Sequence, residues 1–144
     1  MNRRGFTLIE LVIVIVIMGA MAAFAFPRIG DGITRQSVRS ARTMFIAVHA
    51  RARATAIQRG AQTQMIVNNG TLEVRSINPV SGAAQTVGRI EDLGARYGVT
   101  VQPTNLTLTF DPRGIGMETS QTTVAITKST FGASVVISPV GRIQ

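Results

Sequence analysis

The chain has 144 residues, 15 Lys and Arg against 7 Asp and Glu, one His, and neither Cys nor Trp. That length supports one domain of ordinary size, and the absence of cysteine excludes a disulfide framework, a thiolate zinc site and a cysteine nucleophile. A single histidine cannot build a multi-histidine metal site, and a net charge of +8 carried by fourteen Arg and one Lys points to something anchored, basic and structural.

From Phe6 to Phe26 the chain reads FTLIELVIVIVIMGAMAAFAF, 21 residues with one ionisable side chain, Glu10. A helix of that length is about 31 Å long, the thickness of a bilayer's hydrocarbon core. The β-branched run from Val12 to Ile17 is a poor helix former in water. In lipid every backbone group must be paired inside the segment, and for a single span only a helix does so. Arg3 and Arg4 ahead of the run predict a cytoplasmic start and an outward-facing remainder, with Arg28 as a weaker counter-signal. A secretory signal cleaved after Ala23-Phe24-Ala25 is the competing reading. Against it stand the length of the run and Glu10, whose carboxylate would cost about 2.5–3.5 kcal/mol at the centre of a span and less near its end. Such a residue asks for a partner. A cut between Gly5 and Phe6 would place a new α-amine about one turn from Glu10, able to neutralise the carboxylate of a neighbouring copy or of another subunit. A buried pair of that kind fixes register better than it adds stability.

The run Arg3-Arg4-Gly5-Phe6-Thr7-Leu8-Ile9-Glu10 resembles the class III signal of type IV pilins and type II secretion pseudopilins, a basic leader ending in Gly followed by an apolar helix that opens Phe-Thr-Leu-Ile-Glu. The resemblance implies a leader over residues 1–5, with Gly5 its last residue. It implies Phe6 as the new N-terminus, methylated on its amine by a prepilin peptidase, and Glu10 as the assembly glutamate. Gly19 and Pro27 fall where that family has helix-loosening residues. Loss of residues 1–5 would leave 139 residues and a side-chain balance of +6. Pro27 lacks an amide hydrogen and disfavours helical geometry at Phe26, so a kink or break is expected where the 6–27 membrane helix ends. Gly30-Asp31-Gly32 would extend that flexible neck, and the helix is expected to run through it into the domain.

From Ile33 to about Gln58, Val38, Ala41, Phe45, Val48 and Ala52 recur at helical spacing, and Gly60 stops the pattern. Residues 28–60 are therefore expected to form a periplasmic amphipathic helix. Arg35, Arg39, Arg42, His49 and Arg53 are predicted on its opposite side as a cationic stripe, with His49 at the surface. The plain reading is a solvated face over a helix packed on a sheet; the sharper one is a surface for phosphates or acidic subunits.

After Gly60 the period changes to two, which gives a β-rich domain over residues 61–144. Gln64–Asn68 and Thr71–Arg75 flank Asn69-Gly70, a hairpin signal that sets Met65 and Val67 on one face with Leu72 and Val74. A loop follows at Asn78-Pro79 and Ser81-Gly82, then a short strand from Gln85 to Ile90. Leu106, Leu108 and Phe110 alternate up to Asp111-Pro112-Arg113-Gly114. Thr122–Thr127 and Ala133–Ser138 add two strands, for six or seven in all. The fold class is α+β, pilin-like: one long N-terminal transmembrane and amphipathic helix on a C-terminal antiparallel β-sheet domain.

No catalytic constellation is visible. His49 has no triad around it, Glu91-Asp92 are sequence neighbours, Gly114-Ile115-Gly116 is too short for a phosphate loop, and the carboxylates are too scattered for a cation loop. No enzyme activity, metal or cofactor is expected. Phe110 through Gly114, the Thr122–Thr127 strand, and the run Val135-Val136-Ile137-Ser138-Pro139-Val140-Gly141-Arg142 are similar to the end of the minor pseudopilin H (GspH/FimT-like) family. That resemblance implies a minor pseudopilin of type II secretion, placed near the tip of the pseudopilus to drive protein export. The alternative is a minor pilin of a type IV pilus, acting in pilus priming or DNA uptake. Partners would be other pseudopilins or pilins through the N-terminal helix, the prepilin peptidase and the inner membrane, with the C-terminal domain periplasmic until the subunit joins a filament. Some members of that family used in DNA uptake have Gly-Arg-x-Arg at the terminus, arginines implicated in binding DNA. Here Gly141-Arg142-Ile143-Gln144 lacks the second arginine, which leaves Arg142 and Arg113 as phosphate contacts. Phe45, Phe110 and Phe131 are assigned to the core, so any DNA would be held by phosphates and not by stacking.

Overall fold

A computed structural model describes residues 6–144, with residues 24–29 as backbone alone; the leader residues Arg3, Arg4 and Gly5 lie outside the described residues. The chain divides into two compact units, Met1–Ile33 and Thr34–Gln144, and one helix, α1 (Leu8–Arg59), contributes to both. Thr7 opens it: its Oγ1 accepts from the Glu10 amide at 3.3 Å. Thr7-x-x-Glu10 therefore has the spacing of a capping box, with the acid in the first turn where the helix dipole favours it. The helix continues through Pro27 and through Gly30-Asp31-Gly32 into the second unit without a break. Proline removes one amide donor, and a helix with many turns on either side can carry that single loss.

In the first unit the large apolar side chains from Phe6 to Met21 are exposed by 44–82%, on every side of the helix. Among the described residues no helix is long and apolar enough to cross a membrane. The described side chains of the apolar run end at Ala23, which from Leu8 is about 24 Å of helix.

In the second unit the apolar positions of α1 are buried as their spacing predicts: Val38, Ala41, Phe45, Val48 and Ala52, continued by Ala56. Eight strands follow in two antiparallel sheets. The first sheet contains β1 (Thr63–Asn68), β2 (Thr71–Ile77), β3 (Ala84–Thr86), β4 (Glu91–Asp92) and β6 (Asn105–Phe110). Its order is β3-β2-β1-β6, with β4 on β2. The second contains β5 (Thr100–Gln102), β7 (Thr122–Lys128) and β8 (Phe131–Ile137) in the order β5-β7-β8. Met65 faces Val74 and Val67 faces Leu72 across the first hairpin, and all four are buried. Asn69 and Gly70 have φ of 46° and 84°, the two positive angles that a type I′ turn requires. One apolar core joins the helix face to Met65, Val74, Leu108 and Phe110 of the first sheet and to Val124, Ile126, Val135 and Ile137 of the second.

The strand expected from Gln85 to Ile90 is shorter and begins one residue earlier, as β3. Two short strands, β4 and β5, and a one-turn helix between them, α2 (Leu93–Tyr97), add to the predicted elements. The Asp92 carboxylate accepts from the Ala95 amide to start α2, and Gly98 at φ 65° ends it. Lys128 ties these pieces together, its Nζ donating to the Tyr97 carbonyl at 2.6 Å and to Ser37 Oγ of α1 at 3.2 Å.

Candidate assembly and binding surfaces

Two groups of residues carry the functional reading, one in each unit. At the N-terminus, Phe6 and Glu10 are exposed, on and just ahead of the first turn of α1. Glu10 uses its backbone amide for the Thr7 cap, which leaves its carboxylate among exposed apolar side chains. Gly19 has open space where a Cβ would be, so at that position the helix surface admits close approach by a neighbour. Pro27 is helical in its backbone.

The cationic stripe needs correcting. At about 100° per residue, Arg35, Arg39, Arg42 and Arg53 lie within about 60° of one another, and their centre is about 100° from the centre of the apolar face. The stripe therefore flanks the core instead of opposing it, and most of it is in use within the fold. The Arg35 guanidinium sits 4.5 Å from the Phe131 ring centroid. Arg42 Nε donates to the Ser134 carbonyl at 3.2 Å, and Arg53 Nε to the Gly114 carbonyl at 2.9 Å. His49 falls between stripe and core on the same wheel and is buried, 2% exposed. Its ring meets Phe110 edge-on, centroids 5.2 Å apart, and Nε2 has no hydrogen-bond partner. Burial first, and the Arg53 charge second, hold its pKa down at about 4. His49 is thus a neutral core residue.

The two arginines expected to meet phosphates lie in turns that pack together. Asp111-Pro112-Arg113-Gly114 has the residue order of a type I turn, closed by the Gly114 amide donating to the Asp111 carbonyl at 2.8 Å. The Asp111 carboxylate accepts from the Ile115 and Arg113 amides, at 2.8 and 2.9 Å, and from Arg113 Nε at 3.0 Å. These contacts, the Ile115 amide foremost, hold its pKa below the ordinary carboxylate value. The Gly116 amide donates to the Val140 carbonyl at 3.0 Å. A Cβ on Gly116 would lie 2.6 Å from the Gly141 nitrogen and from the Pro139 carbonyl oxygen, and one on Gly141 would lie 2.9 Å from the Phe110 ring. Gly114-Ile115-Gly116 is therefore a packing device that lets the loop after β6 lie against the turn after β8. Sequence reasoning did not find this pairing, because two glycines in contact leave no trace in periodicity. Arg113 and Arg142 are both exposed. Among the described residues no three His, Asp or Glu side chains gather where they could hold a metal ion.

Comparison with known proteins gives two family matches along the chain. Residues 1–26 match the prokaryotic N-terminal methylation motif, and residues 43–141 match the type II transport protein GspH family. The pilin-like protein PilA1 of Thermus thermophilus is 28% identical over 165 aligned positions, covering 100% of this chain and 99% of that protein. The fold is similar to crystal structures of the type IV minor pilin FimU of Pseudomonas aeruginosa. One crystal form gives a TM-score of 0.61 at 23% identity, over 76% of this chain and 88% of that one. The second gives 0.57 at 22%, over 74% and 90%. With the methylation motif at the start and a GspH match across well over half of the length, on a helix packed against antiparallel sheets as in the FimU crystal structures, this chain is a member of the type II transport protein GspH family.

Proposed function

We propose that the chain is made as a prepilin and cut between Gly5 and Phe6, methylated on the Phe6 amine, and held in the inner membrane by the helix over residues 6–27. Residues 28–60 and the β domain over 61–144 then face the periplasm. From there the subunit enters a type II secretion pseudopilus, near the tip, and Glu10 meets the terminal amine of an adjacent subunit. The observation that supports this most is the described surface from Phe6 to Ala23: a helix exposed and apolar on all sides, with a single carboxylate, Glu10, in its first turn. Such a surface asks for lipid or for other helices of its kind. Mass spectrometry of the chain recovered from cell membranes tests it. The expected N-terminus is methylated Phe6; an uncut chain, or one beginning at Phe26, would overturn the proposal.

A second reading, a minor pilin that takes up DNA, is favoured by the exposure of Arg113 and Arg142 on two turns that pack together. It expects the full chain in detergent to shift a DNA duplex in a gel, more weakly as salt rises, because phosphate contacts release counterions. Arg142→Ala should weaken the shift without changing any sequence preference. No salt-dependent shift, or none lost on Arg142→Ala, would sink this reading.

A further inference from the structure

The end of the globular unit that holds the last turn of α1 carries an apolar patch the core does not use. Ile57, Ile115, Met117 and Val140 come from three separate stretches of chain and are each 41–57% exposed. Backbone contacts bring them together. A Cβ on Gly114 would lie 2.8 Å from Ile57 Cδ1, and the Gly116 amide, between Ile115 and Met117, donates to the Val140 carbonyl. Gln62, just past the helix, meets Met117 Sδ at 3.8 Å. Isolated apolar side chains on a surface are ordinary, whereas four gathered by a built loop contact are not.

Charge around the patch is arranged in one sense. The Arg113 side chain is 80% exposed, and Arg142 is exposed on the neighbouring turn. The carboxylates nearby turn inward: Asp111 binds the amides of its own loop and pairs with Arg113 Nε at 3.0 Å while the rest of that guanidinium stays in solvent, and Glu118 accepts from the Thr109 amide at 3.1 Å. Solvent therefore meets an apolar centre with a cationic rim. A symmetric pairing of two copies would set these arginines against each other. A phosphate backbone would gain nothing from four apolar side chains. Apolar centres carrying Met, with Arg at hand and polar rims, are the composition of specific protein interfaces.

We propose that this patch docks a different polypeptide, one that presents an apolar cluster ringed by carboxylates. The patch lies wholly within Thr34–Gln144, so it stands apart from the cleavage and anchoring proposed above. Because the chain has no cysteine, Val140→Cys gives a single position for an environment-sensitive fluorophore on the full chain in detergent. The probes are an amphipathic helical peptide with a leucine face bordered by glutamates, its lysine counterpart, and a short DNA duplex. The glutamate peptide is expected to shift the emission saturably, and the lysine peptide to bind at least about tenfold more weakly, a difference of about 1.4 kcal/mol. Met117→Glu combined with Arg113→Glu should weaken the glutamate peptide by at least as much. A fluorophore at Val80→Cys, where the native side chain is 94% exposed on another loop, should stay silent. Equal binding of the two peptides, an equal response at position 80, no effect of the substitutions, or preference for the duplex would each overturn the proposal.

Discussion

His49 shows how one residue couples the fold to pH. In the folded chain the imidazole is neutral, with its pKa lowered from 6.5 to about 4 by burial and by the Arg53 charge. The unfolded chain binds this proton more readily, so stability falls wherever the unfolded state holds more protons than the folded one. The contribution is complete above pH 6.5, is lost as pH drops from there toward 4, and levels off below. The full span corresponds to about 3 kcal/mol. Denaturant melts from pH 8 to 4 should show this slope in the wild-type chain and a flatter one in His49→Leu; identical slopes would show that the imidazole does not titrate in this way. The sequence placed His49 on the cationic stripe because it lies seven residues from Arg42 and four from Arg53. Spacing gives an angle and not a depth, and the angle of residue 49 falls where the helix meets Phe110.

At the level of elements, legibility followed length and turn chemistry. The Asn69-Gly70 hairpin, the strand ending at Phe110, and the β7–β8 pair each carry six or seven residues of alternating burial, enough for a period of two to show. Strands of two and three residues and a five-residue helix hold less than two periods of any pattern, and only Asp92 and Gly98 mark the ends of α2. The division of the strands between two sheets is a matter of long-range pairing, which local sequence does not encode. The loop contact that builds the Arg113 and Arg142 region is equally non-local, and it makes a sharp expectation. Gly116→Ala forces a Cβ to within 2.6 Å of two backbone atoms. Backbone has no rotamer to move, so the loop after β6 must lift from the turn after β8. The cost should be that of overpacking, about 1–3 kcal/mol, with the midpoint of a denaturant melt lowered accordingly. An unchanged midpoint would mean that the two loops are not held together as described.

For the whole molecule, the two units have opposite relations to water. Thr34–Gln144 has one apolar core that draws on α1 and both sheets, whereas the large apolar side chains described from Phe6 to Met21 are all exposed. Only lipid or a bundle of like helices would satisfy the first unit, and Glu10 discriminates between these two environments. In lipid its carboxylate is a cost, small because it lies near the helix end. In a bundle it is a gain only if a neighbour's amine faces it, and then as a device for register. Glu10→Gln should therefore leave the amount of chain in the membrane fraction unchanged, or raise it slightly, because the neutral amide is cheaper to bury. The same substitution should reduce the share recovered in sheared filaments. Comparing the two fractions from the same cells separates the effects, since a folding defect would deplete both. Incorporation at the wild-type level by the glutamine variant would mean that the carboxylate has no partner in the filament, and that its place in the first turn reflects the Thr7 cap and the helix dipole alone.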